Sequence, residues 1–278
     1  MFQADPKTEF DTRGFAIAEG LFSPEEVKSL IDHFMAMHDR GGDGWAEGSV
    51  DMNDPDPLRR YPRLLQPHRG DAVSMDYMTD PRINQWLTKL LGREPYAVQT
   101  MVYFKPAGAR GQALHQDQRY LCVEPGTCVA AWLALDDCDE ENGCLTVVPR
   151  TQNFPMLCPI PSDITESFTG ETVPVPDGYA PEAVRMKSGD VLFFNGSLIH
   201  GSLPNRSQDR FRRIIVGHYI VGEAHSVAKY YHPVYRMDGS QVELNVTVDG
   251  GKCGTFVEEG GEQVFRLEGT IEGALRAH

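Results

Sequence analysis

A short run, Leu114-His115-Gln116-Asp117, and His200, 85 positions after His115 in Ile199-His200-Gly201-Ser202, carry the residue types with the most chemistry in this 278-residue sequence. Two imidazoles and one carboxylate are the donor set of a non-haem iron(II) centre. They fill one face of the ion and leave the other face to exchangeable ligands. Residues two apart on a strand point to the same side, so a strand through this run aims His115 and Asp117 together. His200 follows Gly189-Asp190 and the apolar run Val191-Leu192-Phe193-Phe194-Asn195, a turn and a strand that carry it inward. His33 and His38 fall on a helical pattern and His278 is terminal. His218, on an apolar strand, competes for the third ligand position.

An acidic ligand held beside such a metal needs a buried cation, and arginine offers a planar fork that matches a carboxylate. Arg206 and Arg210 lie in a polar turn. Arg212 and Arg213 open a strand and so face opposite sides, which leaves open which of them points inward. The sequence holds no Gly-x-Ser-x-Gly elbow, phosphate-binding loop or dinucleotide fingerprint.

The positioning elements are mostly short strands. Residues 12–21 read as a strand. Ser23 caps a helix that has Pro24 at its first position, Glu26 completing a capping box, and Val27, Leu30, Ile31 and Phe34 on one face. A second helix starts after Asp80 and stops at Gly92. Between them, residues 39–74 are rich in Gly, Asp, Pro and Arg. They read as a partly ordered loop over the site, with Trp45, Arg60, His68 and Arg69 facing a substrate. Strands are expected at 96–105, 128–135 (apolar throughout, hence buried on both faces), 144–148, 184–186, 191–195 and 212–220. Asn142-Gly143, in the acidic turn 136–143, signals a hairpin, and residues 246–260 a late one turning at Asp249-Gly250-Gly251. The expected fold is mainly β with N-terminal helices around a double-stranded β-helix, a jelly-roll or cupin-like core. It forms a single domain over 1–278: a helical part with the loop (1–93), the core (94–220) and an extension with a β-hairpin (221–278).

Hydrophobic residues make up 41% of the chain, enough for a sizeable core, and 26 basic against 40 acidic residues give a net charge of −14. That balance disfavours nucleic acid and anionic membrane as partners and leaves a small molecule. Cysteines stand at 122, 128, 138, 144, 158 and 253 with no Cys-x-x-Cys pair, which argues against structural zinc. The N-terminus lacks the pattern of a secretory signal and no apolar run is long enough to span a membrane. The expected compartment is the cytoplasm, with its thiols reduced.

At these residues the chain resembles the phytanoyl-CoA dioxygenase family of iron(II)/2-oxoglutarate oxygenases. The resemblance rests on Leu114-His115-Gln116-Asp117, Ala131-Trp132-Leu133-Ala134-Leu135-Asp136, Glu141-Asn142-Gly143-Cys144-Leu145, Lys187-Ser188-Gly189-Asp190-Val191, His200-Gly201-Ser202 and Phe211-Arg212-Arg213. It implies His115, Asp117 and His200 as iron ligands. It also implies Arg212 and Ser202 as partners of the distal carboxylate of 2-oxoglutarate, Trp132 as a wall of that pocket, and O2 as co-reactant. Where family members often carry Pro-Gly-Ser-His, this chain has Pro149-Arg150-Thr151-Gln152, a changed turn that removes no ligand. Halogenating relatives replace the metal carboxylate with a small residue. Asp117 therefore favours hydroxylation, or another oxidation such as desaturation or ring formation. The acidic balance favours a neutral or cationic small molecule over an acyl-CoA, in small-molecule or secondary metabolism. The alternatives are a non-redox metal-dependent cupin-type enzyme, which leaves Arg212 and Ser202 unexplained, and a ligand-binding β-sandwich, which predicts no tight metal binding.

Overall fold

The computed structural model describes residues 5–42, 44–247 and 251–270. Its helices are α1 (Pro6–Arg13), α2 (Pro24–Arg40), α3 (Pro57–Arg60), α4 (Ala72–Met78), α5 (Pro81–Leu91) and α6 (Gln118–Leu121). The first nine strands are β1 (Phe15–Ala18), β2 (Leu64–Leu65), β3 (Tyr96–Tyr103), β4 (Gln112–His115), β5 (Cys128–Ala134), β6 (Leu145–Val147), β7 (Ile160–Pro161), β8 (Glu171–Thr172) and β9 (Glu182–Val184). The rest are β10 (Val191–Asn195), β11 (His200–Ser202), β12 (Ile214–Ile220), β13 (Ser226–Ala228), β14 (Val234–Tyr235), β15 (Gln241–Val242), β16 (Asn245–Thr247), β17 (Lys252–Glu259) and β18 (Glu262–Thr270).

Two sheets make the core. The larger runs β1-β10-β5-β12-β3-β14-β15 with β2 on β3, and the smaller runs β4-β11-β6-β9. β5 is buried along its whole length because it has apolar neighbours on both sides. Ala130, Trp132 and Ala134 point to the small sheet and pack with Leu145, Val147 and Val184. Val129, Ala131 and Leu133 point outward under Phe34, Ile83 and Leu87 of the helices. Burying each such large side chain contributes about 1.5–3 kcal/mol. The architecture is the expected jelly roll with helices on one face.

The helix signals act as read. Ser23 Oγ accepts the Glu26 N–H at 3.2 Å while the Glu26 carboxylate accepts the Ser23 N–H at 2.8 Å. α5 starts at its Asp80 cap and stops at Gly92, whose φ is 81°. Other expectations are corrected. Residues 6–13 form a helix capped by Asp5, so the strand expected at 12–21 shortens to β1. The stretch 39–74 holds α3, β2, a 3-10 turn at Pro67–Arg69 and α4, and it packs into the body. Asn142-Gly143 closes no hairpin. β5 pairs with β10 and β12, whereas β6 pairs with β11 and β9, so the acidic turn crosses from one sheet to the other. The late hairpin is β17–β18, paired from Lys252 to Thr270 and turning at Gly260-Gly261. Of the turn expected at 249–251, Asp249 and Gly250 lie outside the described residues.

The cysteines also depart from expectation. Cys158 and Cys253 form a disulfide across 95 positions, beside backbone pairing of Cys158 and Met156 with Gly254. It ties the C-terminal hairpin to the loop after β6, where Phe256 meets Phe154 and Phe265. Cys122, Cys128, Cys138 and Cys144 are buried free thiols. Among the described residues no helix is long and apolar enough to cross a membrane.

Candidate metal centre

The small sheet brings the two histidines together. His200 and His115 are directly opposed partners of β11 and β4, and their rings lie 4.2 Å apart. β4 ends at His115. Asp117 caps the short helix α6, so it reaches its neighbour by a turn of the chain and not, as expected, by sharing a strand face. Gln116, fully buried between them, fixes that turn. Its Oε1 accepts the Leu157 N–H at 2.9 Å and its Nε2 donates to Ser197 O at 2.9 Å.

The donor atoms of His115, Asp117 and His200 lie within 4.8 Å of one another, and all three residues are buried. Asp117 Oδ1 is 3.4 Å from His115 Nε2 and 3.5 Å from His200 Nε2. Each ring is oriented from behind, by an Nδ1 contact of 2.9 Å to Ala113 O for His115 and to Leu198 O for His200. A carbonyl can only accept, so each Nδ1 carries a proton; without a metal the Nε2 atoms can hold a second one toward Asp117, and metal binding displaces it and leaves the lone pair facing inward. Burial opposes the charge on Asp117. The charge of His200 and hydrogen bonds from His115, His200 and His218 outweigh it and hold the carboxyl well below the usual carboxylate range. Burial also keeps His115 below its ordinary value. A lone-pair imidazole and an ionised carboxylate are what a divalent iron ion requires, so this donor set fits the metal.

His218, the competing third ligand, stands elsewhere. Its Nε2 meets the other carboxylate oxygen, Asp117 Oδ2, at 3.2 Å. It orients the carboxylate and is not among the clustered metal donors.

A cavity of about 40 Å³ adjoins the triad, and Tyr103, Trp132, Phe194, Ser202 and Arg212 line it. The choice left open between Arg212 and Arg213 falls to Arg212. Arg213 turns outward onto Asp136, at 2.7 and 2.9 Å. Arg212 is 2% exposed, donates from Nε to Gly143 O at 3.1 Å, and lies 5.4 Å over the Trp132 ring. Among the described residues no carboxylate pairs with it. A buried guanidinium without an anion suits a carboxylate-bearing cosubstrate.

The three expected substrate residues are not brought to this cavity. Trp45 packs on His38 and Phe104. His68 is buried, with Nδ1 2.8 Å from Thr100 Oγ1. Arg69 donates to the carbonyls of Tyr230 and His232 at 2.8 and 2.6 Å. Arg60, weighed with them, donates to the carbonyls of Asp54 and Pro55. The reading missed Gln112, whose Nε2 is 3.2 Å from His115 Nε2, and Lys105, a buried ammonium beside Arg212. Lys105 lies two residues past the end of β3 and just before Pro106, a context that reads as surface, and only its apolar neighbours Val102 and Phe104 hinted at burial.

The family model of phytanoyl-CoA dioxygenase (PhyH) matches residues 10–214, most of the chain. The chain belongs to the phytanoyl-CoA dioxygenase family. With that family it belongs to the iron(II)- and 2-oxoglutarate-dependent oxygenases. Its phytanoyl-CoA dioxygenase relatives include the peroxisomal enzyme of Bos taurus, 26% identical, with 78% of this chain and 68% of that protein covered. The match to phytanoyl-CoA dioxygenase 1 of Oryza sativa subsp. japonica is 29% identical and covers half of each. The fold matches that of EctD from S. alaskensis, solved with 2-oxoglutarate and 5-hydroxyectoine (TM-score 0.61, 23% identity, 79% of this chain and 76% of that one). It also matches the carbocyclase SnoK from nogalamycin biosynthesis (TM-score 0.63, 18% identity, 81% and 86% covered).

Proposed function

We propose that this chain is an iron(II)- and 2-oxoglutarate-dependent dioxygenase that hydroxylates a neutral or cationic small molecule. The observation that carries the reading is one cavity with a metal-donor triad at one side and the unpaired Arg212 at the other. His115, Asp117 and His200 would hold the iron, and Arg212 and Ser202 the far carboxylate of 2-oxoglutarate. Iron, 2-oxoglutarate and O2 supply the oxidation, in which 2-oxoglutarate leaves as succinate and CO2 while one oxygen atom enters the substrate.

The chain's own residues bind, orient and exclude water. Ala113 O and Leu198 O orient the histidines, His218 holds the Asp117 carboxylate, Gln116 fixes the turn that carries it, and Trp132 and Phe194 keep the cavity dry. No side chain needs to act as general acid or base. Asp117 supports hydroxylation over halogenation, since it fills the position a halide would take. SnoK is described as a carbocyclase and SnoN, also from nogalamycin biosynthesis, as an epimerase, so the fold also serves other reactions.

Purified protein should consume 2-oxoglutarate only with iron(II) and O2, and His115→Ala and Asp117→Ala should each abolish that turnover. Full activity in both variants would sink the assignment. Candidate substrates are screened by succinate formed above the uncoupled background. Incorporation of 18O from O2 into the product separates hydroxylation from desaturation or ring closure.

A further inference from the structure

Lys105 is 2% exposed, yet among the described residues no carboxylate pairs with it. Its Nζ meets three oxygens: Leu203 O at 2.6 Å, Ser202 Oγ at 2.8 Å and Gly143 O at 3.4 Å. An ammonium has three hydrogens, so all are committed and none is left for a ligand in the cavity. Gly143 O also accepts Arg212 Nε, so one carbonyl anchors both buried cations. The backbone is unusual as well. Lys105 has φ 25°, a left-handed value that costs energy for a residue with a side chain. Its carbonyl accepts the Arg212 N–H at 3.0 Å. The same strained residue thus places Arg212 and aims its own ammonium at Ser202.

Ser202 is where these contacts converge. A serine hydroxyl has two acceptor lone pairs and one hydrogen. Ser202 Oγ takes Lys105 Nζ at 2.8 Å and the Gln112 N–H at 3.2 Å. Both lone pairs are occupied, and the hydroxyl hydrogen is left to point into the cavity that Ser202 and Arg212 line. Burial and the Arg212 charge press Lys105 toward the neutral amine. A carboxylate bound beside the two cations would reverse that pressure and favour the ammonium.

We infer that Lys105 is a positioning residue for the distal carboxylate of 2-oxoglutarate, acting through Ser202 by turning its hydroxyl hydrogen toward that carboxylate. This rests on the functional reading above. The test is calorimetric titration of the manganese(II)-loaded protein, without turnover, using 2-oxoglutarate and 2-oxovalerate. The second acid keeps the keto-acid end and carries a methyl in place of the distal carboxylate. Lys105→Met should weaken 2-oxoglutarate about ten- to a hundredfold, the worth of one charge-assisted hydrogen bond, and leave 2-oxovalerate within about twofold. Ser202→Ala should show the same pattern, and the double variant should lose no more than the larger single loss, as residues acting as one unit do.

Equal weakening of both acids would mean a merely structural lysine and overturn the proposal. Fully additive losses, or unchanged 2-oxoglutarate affinity, would overturn it too. If Lys105→Met does not fold, Lys105→Gln removes the charge, keeps a donor for the carbonyls and is read in the same titration. Wild-type protein that binds neither acid overturns the functional reading itself. Wild-type binding with an indifferent Lys105 variant overturns this inference alone.

Discussion

Arg212→Met should make the protein stabler and worse at binding its cosubstrate. The side chain is buried, makes one hydrogen bond to Gly143 O, and burial presses its guanidinium below the usual arginine range. Replacing buried ionic groups with apolar ones of similar volume is often neutral or stabilising by about 1–4 kcal/mol. Loss of the Gly143 hydrogen bond takes back about 1 kcal/mol. The net runs from a loss of about 1 kcal/mol to a gain of about 3 kcal/mol. At about 2 °C per kcal/mol for a chain of this size, Tm falls by no more than about 2 °C and rises by up to about 6 °C. Cosubstrate binding moves the other way. Losing one side of a buried charge pair costs about 2–5 kcal/mol, so 2-oxoglutarate affinity should fall at least about 30-fold. Thermal melts of the metal-free protein, paired with calorimetric titration of the manganese(II)-loaded protein, read both quantities. A Tm lowered by more than about 5 °C, or an affinity that does not change, would refute the view that Arg212 is held unpaired for an incoming anion.

Three more outcomes follow from the packing. Burial holds His68 neutral, with its pKa lowered to about 4 from 6.5, so the unfolded chain binds the extra proton between those values. The stability this contributes is present above pH 6.5 and is lost as pH falls toward 4, up to about 3 kcal/mol. Urea unfolding of wild type and His68→Gln from pH 7.5 to 4.5 checks it: the variant's curve should be flatter by that amount, and parallel curves would refute it. Cys158→Ser removes a cross-link over 95 positions and should cost about 2–4 kcal/mol. Limited proteolysis should then cut at the β17–β18 hairpin first. Gly201→Ala would place a methyl 2.7 Å from Gln112 O, forcing β11 off β4. It should cost about 1–3 kcal/mol and weaken iron binding measurably by metal titration, because His200 moves with its strand.

Much of the frame was readable because it is set by local chemistry. A capping box needs only Ser23 and Glu26, and a strand buried on both faces shows as the unbroken apolar run 128–135. That His115, Asp117 and His200 come together was legible from their residue types and from the family resemblance of the motifs around them. What was not legible depends on pairing between distant segments. Asn142-Gly143 has the composition of a tight hairpin, but the strands on either side find better partners in different sheets. Trp45, His68 and Arg69 have side chains suited to ligands, and in 39–74 tertiary packing uses them as core and as backbone donors. The Cys158–Cys253 bond depends on a hairpin brought beside a loop 95 positions away. Lys105 reads as a surface lysine until the turn at Gly143 and the end of β11 close around it.

His115 and His200 face each other across one antiparallel strand pair, and that has a consequence for divergence. Sliding either strand by one residue would turn its imidazole to the far side of the sheet, so an insertion or deletion inside β4 or β11 should abolish the proposed iron site. Segment 148–181 shares that constraint, since the Ser167 and Thr169 hydroxyls accept the Ala113 N–H and Leu114 O accepts the Val173 N–H, whereas 39–74 pairs with β3 of the other sheet. A change of length in 39–74 therefore leaves the register of β4 on β11 untouched, while one in 148–181 loosens the strand that presents His115.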